Sequence, residues 1–328
     1  MREITTHHEQ SQSCAGIDVG KAWLDVALDV ALAGGCLLER RPNTTEGHRL
    51  LLADLHQHSV RRVGLEATGG YEQAVVTALR QAGLEVHLFQ PREVRAYATY
   101  TRLRAKSDSI DAKLIARCTA HLDTVRAASD TRLSVLSQAL TLIDQVSEDL
   151  SRSKIRREHI TDPDVLAYHQ GEIKRLREVK QLKQKQLEAQ VRLHPDLAQK
   201  LDLIVSIDGI GMPTALVLLI RMPELGSLTR EQAAALVGVA PMVRQSGIQK
   251  GQSHIAGGRM RARTATYACT QAAIKWNDEL KAFYDRLRQK GKHHRCAIVA
   301  CSRKLITFVN TVLNRQTPWQ KTGPKIST

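Results

Sequence analysis

AGIDVGKAWLDVALDVA, residues 15–31, decides the fold. Ile17, Val19, Leu24, Val26 and Leu28 mostly alternate with other residues on either side of a break at Gly20-Lys21. That pattern is a strand, a turn and a second strand. Residues 45–56 read as a helix with Leu50, Leu51, Leu52 and Leu55 on its buried side. Residues 60–66 read as a short strand, ended by Ala67-Thr68-Gly69-Gly70. A helix over 71–82 follows, with Val75, Val76 and Leu79 inward and Gly83 as its C-cap. Residues 84–89 form a strand closed by Gln90-Pro91, and 92–102 and 109–121 are helical. Strands alternating with helices in this order predict an α/β domain with a mixed sheet.

The pattern changes downstream. Leu133, Leu136, Leu140, Ile143, Val146 and Leu150 step by three or four, a helical stripe. Asp162-Pro163-Asp164 interrupts it, and Ile173, Leu176, Val179, Leu187 and Val191 continue it. Two long helices folded as a hairpin, or one broken coiled coil, account for this segment. From Leu201 a third unit begins. Gly209-Ile210-Gly211 joins two apolar helices, as in a helix-hairpin-helix whose backbone N–H groups face a phosphate, or as in a plain helical corner. Residues 232–239 and 264–274 are helical, with a Gly- and Arg-rich loop over 244–263 between them, and 296–313 form a closing amphipathic helix.

The chain has 328 residues, 42% of them apolar and 25% charged, the composition of a globular protein with about two domains. No apolar run approaches the ~18 residues of a membrane span, and residues 1–13 are polar, unlike a secretory signal. Six scattered cysteines with no Cys-x-x-Cys pair fit a reducing, cytoplasmic compartment. The net charge of +15 is uneven: residues 1–125 are neutral, 126–200 carry +3 and 201–328 carry +12. A basic last third on a neutral start is an electrostatic footprint for nucleic acid. Aromatics are only 4%, which argues against base-stacking platforms as the main contact.

Asp18 and Glu66 end predicted strands, and Asp108 and Asp111 stand three apart on one helix face. Four carboxylates converging at strand ends can hold two Mg²⁺ ions ~3.5–4 Å apart, clamping both oxygens of an in-line displacement at a phosphodiester. Singly, Asp108 also reads as a helix N-cap and Asp111 as a surface charge. A carboxylate closing an apolar strand, as at Asp18 and Glu66, needs a partner.

GIDVGK around Asp18, LEATGGY around Glu66 and KSDSIDA around Asp108 and Asp111 resemble the DEDD motifs of a RuvC-like domain. In this arrangement the chain is similar to the insertion sequence one-hundred-ten family of transposases and to the Piv invertases. The resemblance continues in DGIG (208–211), GVAP (238–241), RQSG (244–247) and GGR (257–259). It implies an α/β plus α architecture: a RuvC/RNase H-like domain over 1–125, a helical oligomerisation segment over 126–200 and a basic, mostly helical transposase domain over 201–328. It implies site-specific DNA recombination in a prokaryotic cytoplasm, with Mg²⁺ (or Mn²⁺ in its place) on Asp18, Glu66, Asp108 and Asp111. Ser246, which by itself reads as a turn residue, becomes the nucleophile that holds DNA as a phosphoserine ester, with Ser253 in the same loop as a second candidate. Arg244, Lys250, Arg259, Arg261, Arg263, Gly209 and Gly211 are the candidate nucleic-acid contacts. Donor and target DNA, a structured bridge RNA, and a dimer or tetramer that shares its sites between subunits are the implied partners. Rival readings are a protein-guided invertase, a junction resolvase with water as nucleophile, a non-catalytic binder and, more distantly, a sugar kinase of actin-like fold.

Overall fold

The structure, a computed structural model, describes residues 13–29, 36–102, 108–122, 130–242, 245–246, 249–250 and 254–320, with backbone alone at 108–110, 131, 245, 246, 249 and 250. The chain divides into two units, Met1–Ser129 and Asp130–Thr328.

The first unit contains β1 (Cys14–Val19), β2 (Trp23–Asp29), β3 (Cys36–Leu37), β4 (Arg41–Pro42), α1 (Thr45–Gln57), β5 (Arg62–Glu66), α2 (Gln73–Gln81), β6 (Glu85–Phe89), α3 (Pro91–Tyr100) and α4 (Asp108–Ala120). Its sheet runs β3-β2-β1-β5-β6, with β4 also paired to β2. β1 is antiparallel to β2 and parallel to β5, and β5 is parallel to β6, so the sheet is mixed as expected. Alternation sends Ala15, Ile17 and Val19 to one face, where they share a core with Leu51 and Leu55 of α1 and Val75 and Leu79 of α2.

The opposite face carries α4. Gly16 and Gly64 are register partners on β1 and β5. A Cβ on Gly16 would lie 2.1 Å from the Ala116 N and 2.4 Å from the Ala112 O, and one on Gly64 would lie 1.9 Å from the Thr119 Oγ1. Two adjacent glycines therefore flatten the sheet, and α4 answers with Ala112 and Ala116, which pack with Ala27 of β2. Gly16→Ala is expected to cost about 3 kcal/mol, because backbone must move to admit one methyl group. The urea midpoint of the first unit's unfolding would fall accordingly. Gly171→Ala in the second unit, where nothing lies within 4 Å, is the contrasting substitution and should be neutral or mildly stabilising.

The second unit contains α5 (Thr131–Arg157), α6 (Pro163–Arg192), α7 (Pro195–Val205), α8 (Met212–Arg221), α9 (Arg230–Val237), β7 (Pro241–Met242), β8 (Gln245–Ser246), β9 (Gln249–Lys250), β10 (His254–Ile255), α10 (Met260–Trp276), α11 (Asp278–Gln289) and α12 (His294–Arg315). The break at 162–164 starts α6: Asp162 accepts from the N–H groups of Asp164 and Val165, and Pro163 opens the helix. α5 and α6 form the expected hairpin, and its stripe is filled within the chain. Val146 and Leu150 meet Ile173 and Leu176. Nearer the base, Leu133, Leu136, Leu140, Ile143, Leu187 and Val191 join one core with α7–α12, so no boundary near residue 200 separates the hairpin base from the helices after it. α12 is long and apolar enough to cross a membrane, but it is mostly buried, with Cys301, Leu305, Ile306 and Val309 fully inside that core. The loop expected over 244–263 ends earlier, where α10 begins at Met260; it holds the antiparallel pair of β8 with β9, and β10, which pairs with β7 just before it.

Candidate active site

β1 and β5 pair in parallel up to Ile17 opposite Leu65, so the next step along both strands brings Asp18 beside Glu66. Residues two apart share a face, so Asp18 follows Gly16 and Glu66 follows Gly64 onto the α4 side of the sheet. Arg62, the first residue of β5, donates from Nη1 to the Leu122 carbonyl just past α4, at 2.8 Å. α4 therefore runs back along the sheet, and its first turn comes to the end where β1 and β5 finish. That turn holds Asp108 and Asp111, ~4.5 Å apart along the helix axis. Asp18, Glu66 and Asp111 are each half-buried. The Asp108 side chain lies outside the described residues. Among the described residues, no three His, Cys, Asp or Glu side chains stand close enough together to hold a metal. In chemistry the donor set fits a hard divalent cation, because every member is a carboxylate.

Glu72 went unnoticed in the sequence. Its buried carboxylate turns back onto the loop after Glu66, accepting from the Thr68 N–H at 3.2 Å, the Thr68 hydroxyl at 2.8 Å and the Gly70 N–H at 2.9 Å. Burial pushes this carboxyl up, but the hydrogen bonds outweigh burial and hold it below the ordinary carboxylate range. The loop that follows Glu66 is thus pinned by an ionised group. A threonine followed four residues later by Glu in a Gly-Gly turn is the only signal the sequence carries for it.

In the second unit Ser246 ends β8, opposite Gln249, with a two-residue connection between them. Its side chain, and those of Lys250, Arg244 and Ser253, lie outside the described residues. Two of the three arginines at the start of α10, Arg259 and Arg261, have acidic partners. Arg259 forms a bidentate pair with Glu224, both contacts at 2.6 Å, and donates to the Arg221 carbonyl. Arg261 meets Glu148 of α5 at 2.5 Å. Arg263 donates to the Gly257 carbonyl. Counting basic residues along 244–263 did not reveal the acidic partners, Glu224 and Glu148, which lie far off in the chain. Gly209 has φ +92°, and a Cβ on it would lie 2.5 Å from the Ala273 Cα, so close packing on α10 accounts for it. Gly211 is the N-cap of α8. All six cysteines are free. Burial pushes the Cys118 thiol up to about 12 and Cys301 up to about 11, so neither is a nucleophile near neutral pH.

Two family models match this sequence. Residues 15–162 match a DEDD transposase model for IS110 elements, and residues 201–285 match the model described as transposase IS116/IS110/IS902 family. The chain is 26% identical over 263 residues to the pilin gene-inverting protein of Moraxella bovis, covering 78% of this chain and 81% of that one. It is 27% identical over 140 residues to the insertion element IS110 uncharacterized 43.6 kDa protein of Streptomyces coelicolor, covering 42% of this chain and 35% of that one. Among solved structures, T. thermophilus RuvC in complex with Holliday junction substrate is 21% identical, with a TM-score of 0.27, over 34% of this chain and 92% of that chain.

Proposed function

The chain belongs to the IS110 family of transposases, DNA-recombining enzymes, and from that premise we propose that it cuts and rejoins DNA with four carboxylates and a serine. The observation that carries the reading is the meeting of Asp18 and Glu66 at the ends of adjacent parallel strands, on the face where α4 begins. Asp18, Glu66, Asp108 and Asp111 would hold Mg²⁺. Bound there, the ion supplies charge neutralisation and polarisation at a phosphodiester. Ser246 Oγ attacks phosphorus and gives its proton to a nearby carboxylate, the P–O bond to the strand's bridging oxygen breaks, and that oxygen takes up the proton as it leaves as a hydroxyl. The phosphoserine ester conserves the broken bond, so rejoining needs no ATP. Arg244, Lys250 and Arg263 neutralise phosphate charge, and Arg259 and Arg261 join them where DNA competes with their acidic partners. The basic last third supports a nucleic-acid partner, read here as a bridge RNA beside donor and target DNA in a prokaryotic cytoplasm. Val135, Leu142, Val165, Tyr168 and Leu182 remain exposed on the α5–α6 hairpin and supply apolar contacts for a dimer or tetramer.

The similarity to a pilin gene-inverting protein over most of both chains favours a second reading, inversion with recognition by protein alone. One experiment separates the two. The protein is expressed with its flanking DNA, purified through about 0.5 M salt, where the Debye length falls to about 5 Å and loose polyanions are stripped, and the bound nucleic acid is sequenced. A single discrete RNA encoded beside the gene is the expected result. A random mixture, or none, favours the inversion reading. Failure of the protein to recombine a plasmid carrying its own flanks, with or without such an RNA, overturns both.

A further inference from the structure

We propose that Asn43 is a positioning residue that sets the separation of the two strand-end loops carrying Asp18 and Glu66; the inference rests on the reading that these carboxylates hold a divalent ion. Asn43 lies between β4 and α1, outside every motif named above. Its Nδ2 donates to the Gly20 carbonyl at 3.0 Å and to the Tyr71 carbonyl at 3.1 Å. Gly20 is in the turn after Asp18, and Tyr71 is in the loop after Glu66. One side-chain nitrogen thus ties together the two loops that leave the ends of β1 and β5.

Two carbonyl acceptors on one amide atom identify that atom as the nitrogen, which fixes which way the side chain points. Its Oδ1 takes a hydrogen bond from His48 Nε2 at 2.8 Å. His48 is buried in α1, and burial pushes its imidazole down, toward the neutral form. Nε2 must then carry the proton, since an amide oxygen only accepts. The Asn43 backbone is held as well, because its N–H donates to the Ala22 carbonyl at 2.8 Å. Behind it, Thr44 caps α1 by accepting from the Gly47 N–H, and a Cβ on Gly47 would lie 1.9 Å from the Pro42 carbonyl oxygen. The first turn of α1 therefore sits directly on the β4 end, leaving Asn43 little freedom to retreat.

The physical need is plain. Loops at strand ends are the least constrained parts of a sheet, while ligands of one ion must be held to about 0.5 Å. Glu72 stiffens the Glu66 loop internally, and Asn43 is what relates that loop to the other one. Groups that orient metal ligands from behind typically change metal affinity about 10- to 100-fold when removed.

The test uses the full-length protein, with Mn²⁺ as the probe, titrated by electron paramagnetic resonance and by the Mn²⁺ concentration for half-maximal DNA cleavage. Amide hydrogen exchange is followed over residues 19–23 and 67–72. Asn43→Leu removes both donors, and Asn43→Asp turns an oxygen toward two carbonyls. Both are expected to weaken Mn²⁺ binding about 10-fold or more and to speed exchange in both segments together, with α1 and β6 still protected. His48→Gln, which keeps an N–H donor, should stay within about twofold of wild type, and His48→Leu should behave like Asn43→Leu. That contrast keeps the test informative if an Asn43 variant folds poorly. Unchanged Mn²⁺ affinity and unchanged exchange in both Asn43 variants would overturn the positioning role. The combined Asp18→Asn, Glu66→Gln variant examines the reading beneath it: if that protein binds Mn²⁺ as wild type does, the carboxylates are not the ion's ligands, whatever Asn43 does.

Discussion

Asp18→Asn and Glu66→Gln are each expected to reduce DNA cleavage by about 10³-fold or more while leaving the protein folded. A divalent ion at a phosphodiester contributes several kcal/mol of transition-state stabilisation, and each 1.36 kcal/mol is about tenfold in rate. Each substitution keeps shape and removes only the charge proposed to hold the ion. Both residues are half-buried at strand ends, not among the fully buried side chains that hold the sheet to α1 and α2. Thermal unfolding should therefore shift by no more than a few degrees. DNA binding should persist, since the basic charge lies in the other unit. The measurement is nicking of a supercoiled plasmid that carries the element's ends, alongside a binding titration. Cleavage within tenfold of wild type in either variant would remove that residue from the ion site. Lost cleavage together with lost binding would point to a folding defect, which the thermal scan identifies.

The strands and most helices of the first unit were legible, because alternation and 3.6-residue periodicity are local signals and buried elements keep them clean. What brings the carboxylates together was not. Gly16 and Gly64 look like strand-weakening residues until β1 and β5 are paired, and only then do they form the flat patch that seats α4. Asn43 and Glu72 act through hydrogen bonds to loops far off or reversed in the chain, and periodicity carries no trace of such contacts. In the second unit the Leu/Ile stripe gave the hairpin helices but not their partner. The residues near the hairpin base belong to the core of the C-terminal helices, because an apolar stripe does not say what covers it. The basic run at 259–263 likewise does not show its own partners: Glu224 and Glu148, remote in sequence, engage Arg259 and Arg261. β8 and β9 escaped notice since RQSGIQK has no apolar alternation, only a two-residue connection between short polar strands.

Ser246→Ala is expected to eliminate the covalent protein–DNA adduct, a loss of about 10⁴-fold or more in strand transfer, with DNA affinity changed no more than about twofold. The argument begins with the backbone. Ser246 is the last residue of β8, paired with Gln249 across a two-residue connection. A hydroxyl is a poor nucleophile on its own, so under the proposed mechanism its reactivity requires the carboxylate-held ion, and the Asp18 and Ser246 variants should fail at the same chemical step. They differ in what remains: with Asp18→Asn the serine survives but no phosphate is activated, and with Ser246→Ala the ion still binds. Mn²⁺ titration of Ser246→Ala should therefore match wild type. The adduct is read by denaturing gel after protease-free quenching on end-labelled DNA. Ser253→Ala provides the internal comparison and should still form it. If the adduct persists in Ser246→Ala and vanishes in Ser253→Ala, the nucleophile is Ser253. If cleavage proceeds in both, with no adduct even in wild type, water attacks the phosphate, and the carboxylates work as in a junction resolvase, without a covalent intermediate.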